Sequence, residues 1–349
     1  KSPILVTGAT GYIASWVISK LLEQGYTVHA TVRDLNKKHS FDHLEQIAST
    51  NSGTLKLFQA NLLQAHSFDD AMQGCEIVIH MASPFVVTNY KDAVKDIIEP
   101  AILGTENVLN SVNKTESVKR VVLTSSIAST YGDAIDILNT KNNEFDESHW
   151  NTTSSTTHQP YPYSKVMAER KAWQMAEAQN RWTLVSINPA LVLGASLTPN
   201  TQSGSVEVLE QFANGMTLLG VPPMWNGIVD VRDVADAHIL VATNEYASGR
   251  YIISGGSLSV LEMGKILLKN FGQKFPFPRN QVPKNLFKLV GPKFGYSKDF
   301  IEKNMGYPIY FNANKSKQDL GMTYRPIDIS LVEHFQQLLD DGGIKKYIP

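Results

Sequence analysis

Tyr161 and Lys165 lie four residues apart in the stretch "YPYSK", where a Thr/Ser-rich segment gives way to a helix-like run. That spacing on a helix puts two side chains on the same side, within reach of each other. A phenol ordinarily ionises near pH ~10, which makes it a poor acid–base group at neutral pH, but an adjacent ammonium stabilises the phenolate and lowers that value. The pair is therefore a tunable proton donor. Pro162 suits the first helical position and disfavours helical geometry at the residue before it. Tyr161 is accordingly expected as a cap-like residue outside the helix, its phenol at the mouth of the loop. A third group must orient the substrate oxygen, and "RVVLTSS" ends in Thr124, Ser125 and Ser126, at the kind of strand end where open α/β sheets bind ligands.

A second set of residues could hold a phosphate. In "ILVTGATGYIASWV", Gly8 follows an apolar strand-like run, with Gly11 and then Ala14 at three-residue intervals. Glycine lets the backbone turn tightly and approach a pyrophosphate without a Cβ in the way, and the N–H groups at the start of the next helix face the anion. The small Ala14 lets that helix pack on the sheet. A glycine pattern alone is weak evidence, but strand, loop, helix and second strand are the context a dinucleotide site requires. About 20 residues on, the next strand "TVHATV" ends in Arg33, where an arginine accommodates a 2′-phosphate and an acidic residue would favour NAD. Lys37 or Lys38 could add a second cation, so NADPH is the expected cofactor, although Asp34 keeps NAD possible.

The elements that must position these residues follow from periodicity. "ILVTG", "TVHATV", "TLKLF", "EIVIH", "RVVLTSS", "TLVSIN" and later "RYIISG" are short, β-branched apolar runs, with helix-like segments between the first six. This alternation predicts βαβ units and a mostly parallel sheet covered on both faces. "IASWVISKLLEQG" is the clearest helix, with Ile13, Val17, Leu21 and Leu22 on one face and Gly25 at its C-terminal stop. After about Asn188 the alternation breaks into turn-rich loops such as "GASLTPNTQSGS" and "FPFPRNQVPKN". A dinucleotide-binding domain over 1–190 plus about 228–256 is expected, with a substrate lobe from about 191–227 and 257–349.

Composition narrows the partners. The 349 residues carry 32 Lys+Arg against 33 Asp+Glu, with no basic stripe of the kind that releases counterions from nucleic acid. No run of about 18 apolar residues suggests a membrane span. The single cysteine, Cys75, has no partner for an intramolecular disulfide and no metal-ligand spacing around it. A reduced, cytoplasmic protein is expected, monomer or homodimer; the start at Lys1 leaves room for a trimmed N-terminal piece. Asp230, Arg232, Asp233 and Asp236 in "DVRDVADAH" invite a metal reading, but Arg232 favours a salt-bridge network and His238 lacks a second histidine at ligand spacing. No metal is assigned. His80 in "VIHMASP" reads as structural, and Tyr163 as helix packing. Trp225 and Phe85 each fit a substrate wall or ordinary packing.

Taken in order, "TGATGYIA", "LTSS", "YPYSK" with "AERKAW", "INPALVLG" and "IVDVRDVADAHI" resemble the extended short-chain dehydrogenases/reductases over most of the chain. Within them, "TVRD", "ASP" and "DVRDVA" are most similar to the NADPH-dependent aldehyde and carbonyl reductases and to the dihydroflavonol and cinnamoyl-CoA reductases. The resemblance implies an α/β, Rossmann-type doubly wound parallel sheet with a smaller, discontinuous C-terminal substrate lobe. It places the catalytic serine, tyrosine and lysine at Ser126, Tyr161 and Lys165. It places cofactor contacts at Thr7, Gly8, Thr10, Gly11, Tyr12, Ile13, Arg33, Lys37, Lys38, Asn61, Leu62, Met81, Ala82, Ser83, Thr124, Tyr161, Lys165, Pro189, Leu191 and Val192, and candidate substrate contacts at Phe85, Thr130 and Trp225. Two departures stand out: "ANL" with Asn61 where many relatives have an aspartate, and Pro162 beside Tyr161.

The implied activity is reduction of aldehydes or ketones to alcohols with NADPH. A nucleotide-sugar epimerase or dehydratase of the same fold, which retains its cofactor, is the alternative enzyme. A non-enzymatic NADP-binding redox sensor is the third reading, and it would have no need of an intact Ser/Tyr/Lys set.

Overall fold

A computed structural model describes residues 2–84, 90–199 and 203–344. Ten strands are present among them: β1 (Ile4–Val6), β2 (Thr27–Val32), β3 (Thr54–Gln59), β4 (Ile77–His80), β5 (Arg120–Thr124), β6 (Thr183–Pro189), β7 (Leu191–Leu193), β8 (Trp225–Asp230), β9 (Gly249–Ile253) and β10 (Gly256–Ser259). Seven form one parallel sheet in the order β3-β2-β1-β4-β5-β6-β9. This is the Rossmann-type doubly wound sheet expected from the alternation of apolar runs. The apolar strands are explained by their surroundings, since both faces are covered. Val17, Ile18, Leu21 and Val234 belong to the core on one face, and Val108, Val112, Ala172 and Trp182 to that on the other.

The helix Tyr12–Glu23 ends as its sequence requires. Gly25 takes φ +75°, and the N–H groups of Gly25 and Tyr26 donate to the carbonyls of Leu22 and Leu21. That is the paired hydrogen-bond pattern a C-terminal glycine permits.

Chain order reverses between β1 and β4, and such a switch point opens a crevice at the C-terminal ends of the strands. The loops after β1, β4, β5 and β6 all emerge there. A smaller sheet, β10-β8-β7, is antiparallel at β10–β8 and parallel at β7–β8. It packs with the helices Gly204–Ala213, Val260–Phe271 and Ile327–Asp340 around Phe212, Phe275, Phe277 and Phe335. Trp225 opens β8 opposite Ser259, and β8 runs across the boundary expected near residue 227. No helix among the described residues is long and apolar enough to cross a membrane.

Candidate active site

The glycine loop follows β1 directly. Gly8 has φ +68°, and a Cβ built there would lie 2.8 Å from the Cα of Ala82 after β4. Only glycine permits this approach at the switch point, and the open backbone is the cradle a pyrophosphate needs. Gly11 caps the helix Tyr12–Glu23 and its N–H donates to the carbonyl of Gly8 at 2.9 Å. Thr10 is exposed on the loop and Ile13 half-buried in the first turn. First-turn N–H groups have no intrahelical acceptor and are free to face an anion.

Two expected cofactor residues have their side chains turned elsewhere. Thr7 is fully buried; its Oγ1 accepts the N–H groups of Met81 and Ala82, both at 3.0 Å, so its hydrogen goes to His80 Nδ1 at 2.9 Å. It shapes the loop after β4 from beneath. Tyr12 points its hydroxyl at the carbonyl of Gly194, leaving only its backbone N–H on the loop side. His80 keeps the structural role read from the sequence, because burial, and then the charge of Lys165, push its pKa down to about 4 and hold it neutral.

Arg33 is exposed at the end of β2 and no ion pair to it is found among the described residues; Lys37 is likewise exposed. Lys38 instead faces Glu45 at 3.6 Å. Asp34, the residue that kept NAD possible, accepts the N–H of Asn36 at 2.9 Å within its own turn. Asn61 is exposed, with one lone pair of its amide oxygen already taken by the N–H of Leu63 at 3.0 Å. Leu62 lies against the helix Glu99–Lys114, where a Cβ on Gly104 would come within 2.5 Å of its Cγ. Pro189 is buried at the end of β6, and Leu191 and Val192 are half-buried at the start of β7.

The helix carrying Tyr161 and Lys165 begins earlier than its sequence suggests. It spans Pro160–Glu177, with Gln159 before it in the left-handed region (φ 53°). Pro160 takes the first position and Pro162 the third, which is tolerated because a first-turn N–H has no intrahelical acceptor to lose. Tyr161 therefore lies inside the first turn and is not a cap. The expected proximity is found: Lys165 Nζ is 5.5 Å from the centre of the Tyr161 ring, and it donates to Ser83 Oγ at 2.9 Å. Tyr163 is half-buried on the same helix, its N–H on the carbonyl of Gln159 at 3.1 Å. Ser126 caps the short turn after β5; its Oγ accepts the N–H of Ala128 at 3.1 Å, which leaves its own hydrogen free to donate.

The remaining expectations divide. Thr124 pairs its hydroxyl with His238 Nε2 at 2.8 Å, so it faces the helix Val231–Thr243 rather than open space. Thr130, expected as a substrate contact, is buried, and its hydroxyl donates to the carbonyl of Ile127 at 2.6 Å. Trp225 is half-buried and packs, with Tyr131 and Phe311, against Phe145 and Ile309. Phe85 lies outside the described residues. In the acidic cluster, Arg232 bridges Asp230 and Glu333, Arg325 pairs with Asp233, and Lys20 pairs with Asp236 at 2.7 Å. Sequence reasoning missed Glu169, Arg250 and Asn188, which meet in a buried knot under Ser126. The available signal was Glu169 itself, a charge four residues beyond Lys165 on the same helical face.

The family model described as the NAD dependent epimerase/dehydratase family matches residues 4–254, and the chain belongs to that family. Among curated relatives it is 37% identical over 338 residues to cinnamoyl-CoA reductase CAD2 of Medicago truncatula, covering 96% of this chain and 95% of that one. It is 36% identical to an anthocyanidin reductase ((2S)-flavan-3-ol-forming) of Vitis vinifera over 315 residues, 85% of this chain and 91% of the relative. Among solved structures, Gre2 of Candida albicans in complex with NADPH superposes with a TM-score of 0.76 at 26% identity, covering 98% of this chain and 99% of the other.

Proposed function

We propose that the protein is an NADPH-dependent reductase that converts aldehydes or ketones to alcohols. The observation that carries this reading is the convergence at one crevice of the Gly8 cradle, Ser126 with a free hydroxyl hydrogen, and Lys165 5.5 Å from the ring of Tyr161. Arg33, exposed and without an ion pair among the described residues, supports NADPH over NADH, because a guanidinium matches a 2′-phosphate. The reductases among its relatives agree with it.

The chemistry divides among this chain's own groups. The bound dinucleotide supplies the hydride. Tyr161 gives its phenolic proton to the carbonyl oxygen as that oxygen becomes an alkoxide, and Ser126 donates a hydrogen bond to the same atom. Lys165, with one N–H on Ser83, has two more to offer a ribose hydroxyl, and its charge favours the phenolate left behind. Gly8 and the first turn after Gly11 hold the pyrophosphate.

The test is oxidation of NADPH and NADH, followed by absorbance, against aliphatic and aromatic aldehydes, ketoesters and dihydroflavonols. Turnover with NADPH and several small carbonyls is expected. A preference for NADH would remove the Arg33 assignment, and silence with cofactor binding intact would move the epimerase and sensor readings ahead. Tyr161→Phe should keep NADPH binding and lose turnover by on the order of a hundredfold to ten-thousandfold, the usual range for one acid–base group. Wild-type turnover in that variant would take Tyr161 out of the mechanism.

A further inference from the structure

Directly beneath Ser126 lies an ion pair that the proposed chemistry does not use. Glu169, on the same helix as Tyr161 and Lys165, is 1% exposed, and Arg250 on β9 is 6% exposed. Arg250 Nε donates to Glu169 Oε1 at 2.7 Å. Burying two charges costs more desolvation than a bare pair returns, so such a pair persists only where the remaining lone pairs and hydrogens are satisfied. Here they are. Oε2 accepts from Ser125 Oγ at 2.6 Å, Asn188 Nδ2 at 2.8 Å and Ser129 Oγ at 2.5 Å. Arg250 Nη1 donates to the carbonyls of Glu147 and His149, Nη2 reaches Ser129 Oγ at 3.0 Å, and the guanidinium lies 3.9 Å over the ring of Trp150. Burial pushes the Glu169 carboxyl up, but the Arg250 charge and the hydrogen bonds from Arg250, Ser125 and Ser129 outweigh it and hold the group below the usual carboxylate range.

The groups that hold Glu169 also hold Ser126. The Ser126 carbonyl accepts from Asn188 Nδ2 at 3.2 Å and lies 2.7 Å from Ser129 Oγ, whose single hydrogen it shares as acceptor with Glu169, while Ser125 next door donates straight to the carboxylate. One anion thus ties the end of β5, the end of β6, β9 and the Tyr161–Lys165 helix to a single point. Replacing a buried ion pair by apolar residues of similar volume is often neutral for stability, so stability alone is a weak reason for the knot.

We propose that Glu169 and Arg250 are positioning residues which fix Ser126 relative to Tyr161 and Lys165, so that donor, orienting hydroxyl and cation keep their spacing during turnover. The inference rests on the reductase reading above. Glu169→Gln keeps the side-chain shape but removes the charge facing Arg250 and puts an NH₂ against either Arg250 Nε or Asn188 Nδ2, whichever way the amide turns. Its kcat should fall on the order of tenfold to hundredfold through misplacement alone, with NADPH affinity by fluorescence within about twofold of wild type. Ser129→Ala removes one bridging hydroxyl and strands no charge, so it should fold even if Glu169→Gln does not, and should show a smaller fall in kcat with the same unchanged NADPH affinity. Both are to be measured well below each variant's Tm. Wild-type kcat in Ser129→Ala, or kcat and NADPH affinity falling together, would overturn the proposal. Should wild type reduce no carbonyl, the function reading fails separately. The crystal structure of Ser129→Ala then decides: a displaced Ser126 supports the inference and an unmoved one overturns it.

Discussion

The two ends of the crevice are built on opposite terms. At the proposed dinucleotide end, Arg33 and Lys37 are exposed with no ion pair among the described residues, and the first-turn N–H groups after Gly11 have no intrahelical acceptor. At the proposed proton-donor end, Glu169, Arg250, Ser125, Ser129 and Asn188 are held by one another and by the carbonyls of Glu147 and His149. The first region is completed by its ligand and the second by the fold. Substitutions at the first should therefore appear in binding, and at the second in turnover.

The sharpest way to break the first region is Gly8→Ala. The residue would be held at φ +68° with its Cβ 2.8 Å from the Ala82 backbone. Left-handed strain alone costs about 1–3 kcal/mol, and the clash must push apart the two loops that form the cradle. NADPH binding by fluorescence or calorimetry should be lost altogether, with Tm lowered as well. Wild-type affinity in this variant would mean the pyrophosphate does not lie there.

Arg33→Ala is milder and more specific. Losing one charge-assisted hydrogen bond costs about 1.5–3 kcal/mol, so the NADPH dissociation constant should rise on the order of tenfold to hundredfold. NADH affinity and Tm should stay unchanged, because the guanidinium has no ion pair to lose among the described residues. A matching loss of NADH affinity would show that Arg33 serves adenine or the pyrophosphate rather than the 2′-phosphate.

These two regions also differed in how far the sequence revealed them. The glycine loop was legible because positive φ and close backbone approach leave a mark in residue type, and the strands because burial on both faces makes them near-continuous apolar runs. The Tyr161–Lys165 pair was legible because it is local. Glu169 and Arg250 are 81 positions apart, and nothing short of the sheet order brings them together. The helix start was misplaced because two prolines compete for the first turn, and Pro160 takes its first position. The inward bond of Thr130 was not legible, because a hydroxyl at a strand-to-loop turn can face inward to a carbonyl as readily as outward to a ligand.

Acid should expose a cost spread through both regions. His80, His238 and His334 are buried, and burial is the first cause pushing each pKa down to about 4, from about 6.5 when unfolded. Between those values the unfolded chain binds more protons than the folded one, so stability rises with pH across that window. It should be complete above pH ~6.5 and decline as pH falls toward ~4. Urea midpoints at several pH values would measure this. His238→Asn should make the slope shallower, and an unchanged slope would mean that His238 is protonated within the fold.

The smallest effect tests a residue that combines a ligand-facing backbone with a side chain satisfied by the fold. Tyr12 offers its backbone N–H at the start of the dinucleotide helix, while its hydroxyl donates to Gly194 beyond β7 and its ring lies 5.5 Å from that of His334. Burial, and then the charge of Asp230, raise its phenol pKa well above the ordinary value, so the hydroxyl remains a neutral donor at every working pH. Tyr12→Phe keeps the ring and removes one hydrogen bond, a loss of about 1 kcal/mol. In a chain of this size that should lower Tm by about 2 °C, with NADPH affinity and kcat unchanged. If NADPH affinity fell instead while Tm held, the hydroxyl would have to leave Gly194 to meet the ligand. Tyr12 would then belong to the region that the ligand completes, and the division between the two ends would run through a single side chain.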